Sequence, residues 1–132
     1  MNSDRMFLNL AIEAETSLMP RELLHETQRI EQEVGRTPQT HLRPREIDID
    51  VLLYEHFVFH DERLSVPHAE LAQRRFVLEP LSEIASSLRH PIFHQSIAEL
   101  LAGCTDRNRV IKTNLTISLP LNEDRNAIAA NA

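Results

Sequence analysis

Ile47-Asp48-Ile49-Asp50-Val51-Leu52-Leu53-Tyr54 decides how this chain is read, because it is the most strand-like stretch and also its most unusual one. β-branched and aliphatic residues dominate it, and Phe57-Val58-Phe59 follows closely enough to pair with it through a hairpin. In an extended backbone, side chains at i and i+2 project from one face, so Asp48 and Asp50 stand side by side. Burying two carboxylates without cations or donors is costly, so that face needs partners. Oxygen ligands at this spacing suit Mg²⁺, which takes one or two protein carboxylates, keeps most of its waters and completes its shell with substrate phosphates. An Asp-x-Asp alone is also what a solvated sheet face carries.

The residues upstream strengthen the metal reading. Arg36, Arg43 and Arg45 crowd a stretch that has no hydrophobic period and carries Pro38 and Pro44, which makes it a basic loop beside the acidic strand. Guanidinium forks bind phosphate oxygens bidentately, so an acidic strand under an Arg-rich loop is suited to a magnesium-bridged polyphosphate. Gly35 and Gly103 are the only glycines, which leaves no glycine-rich phosphate loop, so side chains and metal must hold the phosphates.

Outward from this centre the chain reads as one domain. Residues 7–14 form a short apolar strand. Pro20, Glu22 and the spacing of Leu23, Leu24, Thr27, Ile30 and Val34 predict a helix that stops at Gly35. Val66-Pro67-His68 is a strand end or turn. Phe76, Val77, Leu78, Leu81 and Ile84 predict a helix with Pro80 in its first turn. Ile97, Leu100 and Leu101 mark a last helix closed by Gly103. Residues 110–119 carry a strand pattern, and the end from Asn122 is expected to fray.

The 132 residues, 42% apolar and 26% charged, are enough for one core. The net charge of −6 argues against a general nucleic-acid partner, which needs a basic field. No apolar run approaches a membrane span, there is no signal-like start, and the single Cys104 forms no internal disulfide; the expected compartment is the cytoplasm.

Arg43-Pro44-Arg45-Glu46-Ile47-Asp48-Ile49-Asp50-Val51-Leu52-Leu53-Tyr54 resembles the signature of the 6-hydroxymethyl-7,8-dihydropterin pyrophosphokinases, folate-pathway enzymes that move pyrophosphate from ATP to a pterin alcohol. Phe7-Leu8-Asn9, Glu15-Thr16-Ser17-Leu18 and Gln28-Arg29-Ile30-Glu31 are similar to the strand and helix ahead of that signature. Arg63-Leu64-Ser65-Val66-Pro67-His68 and Arg74-Arg75-Phe76-Val77-Leu78-Glu79-Pro80-Leu81 resemble the part after it.

The resemblance implies an α+β fold, a ferredoxin-like antiparallel sheet packed with helices. It covers about Phe7 to Leu101 and gives a partial pyrophosphokinase-like domain over 1–104 and a C-terminal extension over 105–132. The family's opening strand, helix and strand have no counterpart, so an N-terminally truncated form is expected, with an open sheet edge for 110–119 to close or for self-association to cover. The resemblance implies that Asp48 and Asp50 hold two Mg²⁺ ions bridging the ATP phosphates, with Arg36 and Arg45 as catalytic residues near the leaving group. Gln28, Glu31, Arg63, His68 and Arg74 match positions around ATP; Phe7, Asn9 and Phe76 match those that sandwich and hydrogen-bond the pterin. Leu42 and Arg43 depart from the usual Trp and Gly or Ala. The competing readings are a non-catalytic remnant or interaction module of the same family, and an unrelated Asp-x-Asp nucleotidyltransferase, whose usual Gly-Ser turn is missing here.

Overall fold

A computed structural model describes residues 7–35, 47–116 and 130–131. Strand β1 (Asn9–Leu10) leads into helix α1 (Pro20–Gly35); β2 (Phe59–His60), β3 (Ser65–Val66), a short 3₁₀ turn (Leu71–Gln73), helix α2 (Arg75–Ala85), helix α3 (Ile97–Ala102) and β4 (Ala130–Asn131) follow. The fold is α+β. Its described residues contain two two-stranded antiparallel sheets, β1 with β4 and β2 with β3, and no four-stranded ferredoxin-like sheet is found among them.

Helix α1 starts where Pro20 and Glu22 place it. The Glu22 carboxylate reaches back to accept the Met19 backbone N–H at 3.0 Å, satisfying a donor that the helix cannot. Its packed stripe is Leu23 and Thr27, one turn apart and both buried, and the Thr27 hydroxyl donates to the Leu24 carbonyl at 2.8 Å. Val34, expected on that stripe, is 38% exposed. Helix α3 has a reciprocal cap: the Glu99 N–H donates to Ser96 Oγ at 3.1 Å while the Ser96 N–H donates to the Glu99 carboxylate at 3.0 Å. That Ser-x-x-Glu spacing is visible in the sequence, where the apolar period is the stronger signal.

Two clusters fill the interior. Leu23, Val51, Leu64 and Val66 pack beneath α1, and Leu52, Leu71, Val77, Leu78, Leu81, Ile97 and Leu100 pack between α2 and α3. Leu71, Leu78 and Ile97 are fully enclosed, and each such side chain contributes about 1.5–3 kcal/mol by leaving water. Val51 enters one cluster and Leu52 the other, so the segment carrying the aspartates is wedged between them.

Five expectations need correction. The strand over 7–14 shrinks to Asn9–Leu10. The segment 47–54 is not a ladder strand: apart from one bridge position at Asp48, none of 49–54 joins a sheet. Separate contacts hold it instead, among them the His68 N–H donating to the Leu52 carbonyl at 2.8 Å and the Tyr54 hydroxyl donating to the Leu18 carbonyl at 2.7 Å. The hairpin forms further along, with Phe59 opposite Val66 and His60 opposite Ser65. Asp61 builds that turn by accepting both the Arg63 and Leu64 N–H groups at 2.8 Å. Pro80 lies in the second turn of α2, not the first, where it removes only one helical bond and the helix runs on to Ala85. At the C-terminus, no strand occurs over 110–116, while Ala130–Asn131, expected to fray, pairs antiparallel with β1, Asn9 opposite Asn131 and Leu10 opposite Ala130. The rest of the 110–119 expectation, at 117–119, lies outside the described residues. No described helix is long and apolar enough to cross a membrane.

Candidate functional site

Asp48 and Asp50 are half-buried on the extended segment that leads into Val51 and Leu52. Extended geometry places them on the side shared with Leu52, and Ile49 on the side shared with Val51. Contacts from outside the segment anchor it. Glu31, in the last turns of α1, accepts the Ile49 backbone N–H at 2.7 Å. The His68 backbone clips to Leu52, and the Tyr54 hydroxyl ties the far end to the residues before α1.

The reach of Glu31 follows from helix geometry. Leu23, Thr27 and Glu31 recur at four-residue intervals, so they form one stripe along α1. The first two are buried, and the third carries the stripe on to the aspartate segment. Gln28, one turn before Glu31, is exposed.

His68 is held at its backbone and at its ring. Its Nδ1 accepts the Glu70 N–H at 3.1 Å, so the neutral ring carries its proton on Nε2. Glu70 also pairs with Arg74, one helical turn on, and the Arg74 guanidinium lies 5.6 Å from the centroid of the Phe76 ring. Glu70 is a site neighbour that the sequence reading missed, although the Glu70-x₃-Arg74 spacing signals the pair. His68, Arg74 and Phe76 are thus linked in one chain of contacts. Arg75, adjacent in sequence, faces elsewhere: its guanidinium donates to the carbonyls of Asp106 at 3.0 Å and Cys104 at 3.2 Å.

The remaining expected site residues are more dispersed. Arg63 is exposed beside the hairpin turn. Asn9 is half-buried in β1, which lies against α2, the helix that carries Phe76. Phe76 is half-buried against the α2–α3 core, whereas the Phe7 side chain is 68% exposed. Arg36 and Arg45, and the departures at Leu42 and Arg43, lie outside the described residues.

Among the described residues no group of three or more His, Cys, Asp or Glu side chains could enclose a metal ion. Asp48 and Asp50 would offer a cation two carboxylates, a donor set that fits Mg²⁺ completed by water and phosphate oxygens.

The family model described as 7,8-dihydro-6-hydroxymethylpterin-pyrophosphokinase (HPPK) matches residues 1–86. A protein of Aquifex aeolicus named 2-amino-4-hydroxy-6-hydroxymethyldihydropteridine pyrophosphokinase is 45% identical over 93 residues, 70% of this chain and 58% of that protein. Proteins of the same name from Bacillus subtilis and Haemophilus influenzae are 48% identical over 82 residues and 42% identical over 108 residues; the aligned regions cover 62% and 82% of this chain. They span 49% and 66% of those two relatives. A match that takes in both aspartates, α1 and all of α2, at this identity, has one meaning: the chain belongs to the 7,8-dihydro-6-hydroxymethylpterin-pyrophosphokinase family.

Proposed function

We propose that this protein transfers pyrophosphate from ATP to the hydroxymethyl group of 6-hydroxymethyl-7,8-dihydropterin, a step of folate biosynthesis, with two Mg²⁺ ions at Asp48 and Asp50. The supporting observation is the aspartate segment itself: two carboxylates on one side of an extended backbone that is pinned at Ile49 and Leu52.

In such a transfer the substrate hydroxyl attacks the β-phosphorus, the bond from that phosphorus to the bridging α-oxygen breaks, and AMP leaves. Protein groups then contribute mainly position and charge. Magnesium would neutralise the triphosphate and orient its β-phosphoryl group. Asp48 and Asp50 serve as ligands, not bases. Arg36 and Arg45 offer the planar forks that hold phosphate oxygens bidentately. His68 presents Nε2–H as a donor, and Arg74 a charge beside it; Gln28 and Arg63, both exposed, contribute to the nucleotide side. Asn9 and Phe76, on neighbouring elements, face the pterin side together with Phe7.

One observation favours a second reading, a module of the same family that binds nucleotide without turnover. Phe7 is 68% exposed, so its ring is not yet part of a closed aromatic slot. The test is a calorimetric titration of the 132-residue protein with Mg²⁺ and α,β-methylene-ATP, followed by measurement of AMP release with ATP and the dihydropterin. Saturable Mg²⁺-dependent nucleotide binding and pterin-dependent AMP release, both lost in Asp48→Asn and Asp50→Asn, are expected. Binding without AMP release selects the second reading, and nucleotide affinity unchanged in both variants refutes the metal assignment.

A further inference from the structure

We infer that Glu31 is a positioning residue, which orients Asp48 and Asp50 through the backbone between them and does not itself contact nucleotide. This rests on the proposed metal role of the two aspartates and reassigns a carboxylate that family resemblance places around ATP.

Two side chains at i and i+2 point where the backbone between them points. In a sheet interior, a ladder on each side prevents a strand from rotating about its own axis. Here, beyond one bridge position at Asp48, residues 49–54 join no ladder, so single contacts add to that bridge in restraining rotation. The Ile49 N–H lies at the midpoint of the Asp-Ile-Asp triplet, and Glu31 accepts it at 2.7 Å. A bond of that length is short and directional, and an acceptor oxygen at that reach is what makes it. It restrains the Asp48–Ile49 peptide unit, which lies between the two carboxylates, so that a rotation of the extended segment about its axis, which would swing both of them together, works against this bond. Glu31 is rigidly carried, because Leu23 and Thr27, on the same stripe of α1, are buried and Leu23 belongs to the cluster that holds Val51. The helix thus acts on the aspartates through a backbone N–H, which leaves an extended chain sideways and not on either side-chain face, and it supports the ligand geometry while contributing no ligand.

Acceptor reach and charge separate this role from that of a direct ligand. Gln keeps the reach and an amide oxygen but loses the charge; Asp keeps the charge and is one methylene too short. For Glu31→Gln, Mg²⁺-dependent affinity for α,β-methylene-ATP, measured by calorimetry, should stay within about threefold of the parent. For Glu31→Asp and Glu31→Ala it should fall roughly tenfold or more, the loss seen when groups supporting metal ligands are removed. Thermal unfolding without ligand is recorded alongside.

If Gln is as impaired as Ala while Asp binds well, charge matters and the inference fails. A lowered melting temperature in Ala and Asp with unchanged nucleotide affinity below melting makes Glu31 merely structural, which also overturns it. Should the Ala variant not fold, the Gln and Asp pair still decides. Asp48→Asn runs in parallel: if it binds like the parent, the metal reading has failed; if it loses binding and Glu31→Asp does not, only the positioning role has failed.

Discussion

The sharpest stability prediction concerns His90, one of two buried polar residues among those described. His90 is 3% exposed, and its ring stacks on Phe93 with centroids 4.3 Å apart. Nδ1 accepts two backbone N–H groups, from Ile92 and Phe93, each at 3.1 Å. Around it the loop is closed by the His90 N–H to the Gln95 carbonyl and by the Arg89 side chain to the His94 carbonyl, both at 2.8 Å. Protonation would convert Nδ1 from acceptor to donor, facing two donors. Burial, and then the positive charge of His94, hold the His90 pKa below the ordinary histidine value. The sign follows. The neutral ring favours the folded state, so this stabilisation is complete above the unfolded histidine pKa and is lost as pH falls through the lower folded value.

Two backbone bonds at about 1 kcal/mol each give roughly 2 kcal/mol, somewhat less if water reaches the released N–H groups. One linked proton allows at most about 1.4 kcal/mol per pH unit, so the loss is spread over the range that runs from the ordinary histidine value down through the lower folded one. Urea unfolding followed by far-ultraviolet circular dichroism at pH 7.5, 6 and 5 measures it. In His90→Asn the side-chain oxygen can still accept both N–H groups but does not titrate. That variant should be less stable throughout, for want of the ring stack, with a flatter dependence over this window. An identical fall in the parent and in His90→Asn would refute the reasoning. Asp61, Glu99 and Asp106 do not confuse the comparison: hydrogen bonds lower their pKa values, so their contributions are lost in more acid solution.

Leu78→Ala should destabilise the protein by about 2–5 kcal/mol, because a fully enclosed side chain between α2 and α3 leaves a cavity; a shift in urea midpoint of the size expected for a surface site would contradict the packing. Ser96→Ala should cost about 1 kcal/mol in the same assay by opening the α3 cap, whereas Ser96→Asp should recover most of it. Asp106→Ala should lower stability at neutral pH and flatten the acid limb below about pH 4, since its carboxylate accepts the Asn108 N–H and the first N–H of α2 at 2.9 Å each. A parent-like acid titration of that variant would show that α2 does not depend on this distant cap.

Local chemistry was enough to read α1 and α3, the aspartate pair and the membership that its surrounding motifs suggest. Those features depend on residues close in sequence: Pro20 and Glu22 start a helix, Gly103 ends one, and Asp48 and Asp50 share a side of any extended backbone. What the sequence could not supply was partnership. Whether 47–54 becomes a ladder strand depends on which backbone lies beside it, and its hydrophobic pattern is equally satisfied by being wedged between two clusters. The hairpin moved to 59–66 because Asp61 closes that turn, a preference weaker in sequence than the apolar run upstream. Arg74 and Arg75 are chemically identical neighbours, yet one leans toward Phe76 and the other binds the carbonyls at 104 and 106. Glu31 carried a family label as a nucleotide residue, and only the folded chain set it against Ile49, eighteen residues away. Sequence determined which groups exist and which share a local face. Tertiary structure decided which of them meet, because a hydrogen bond or buried contact between distant residues is chosen by the packing of whole elements.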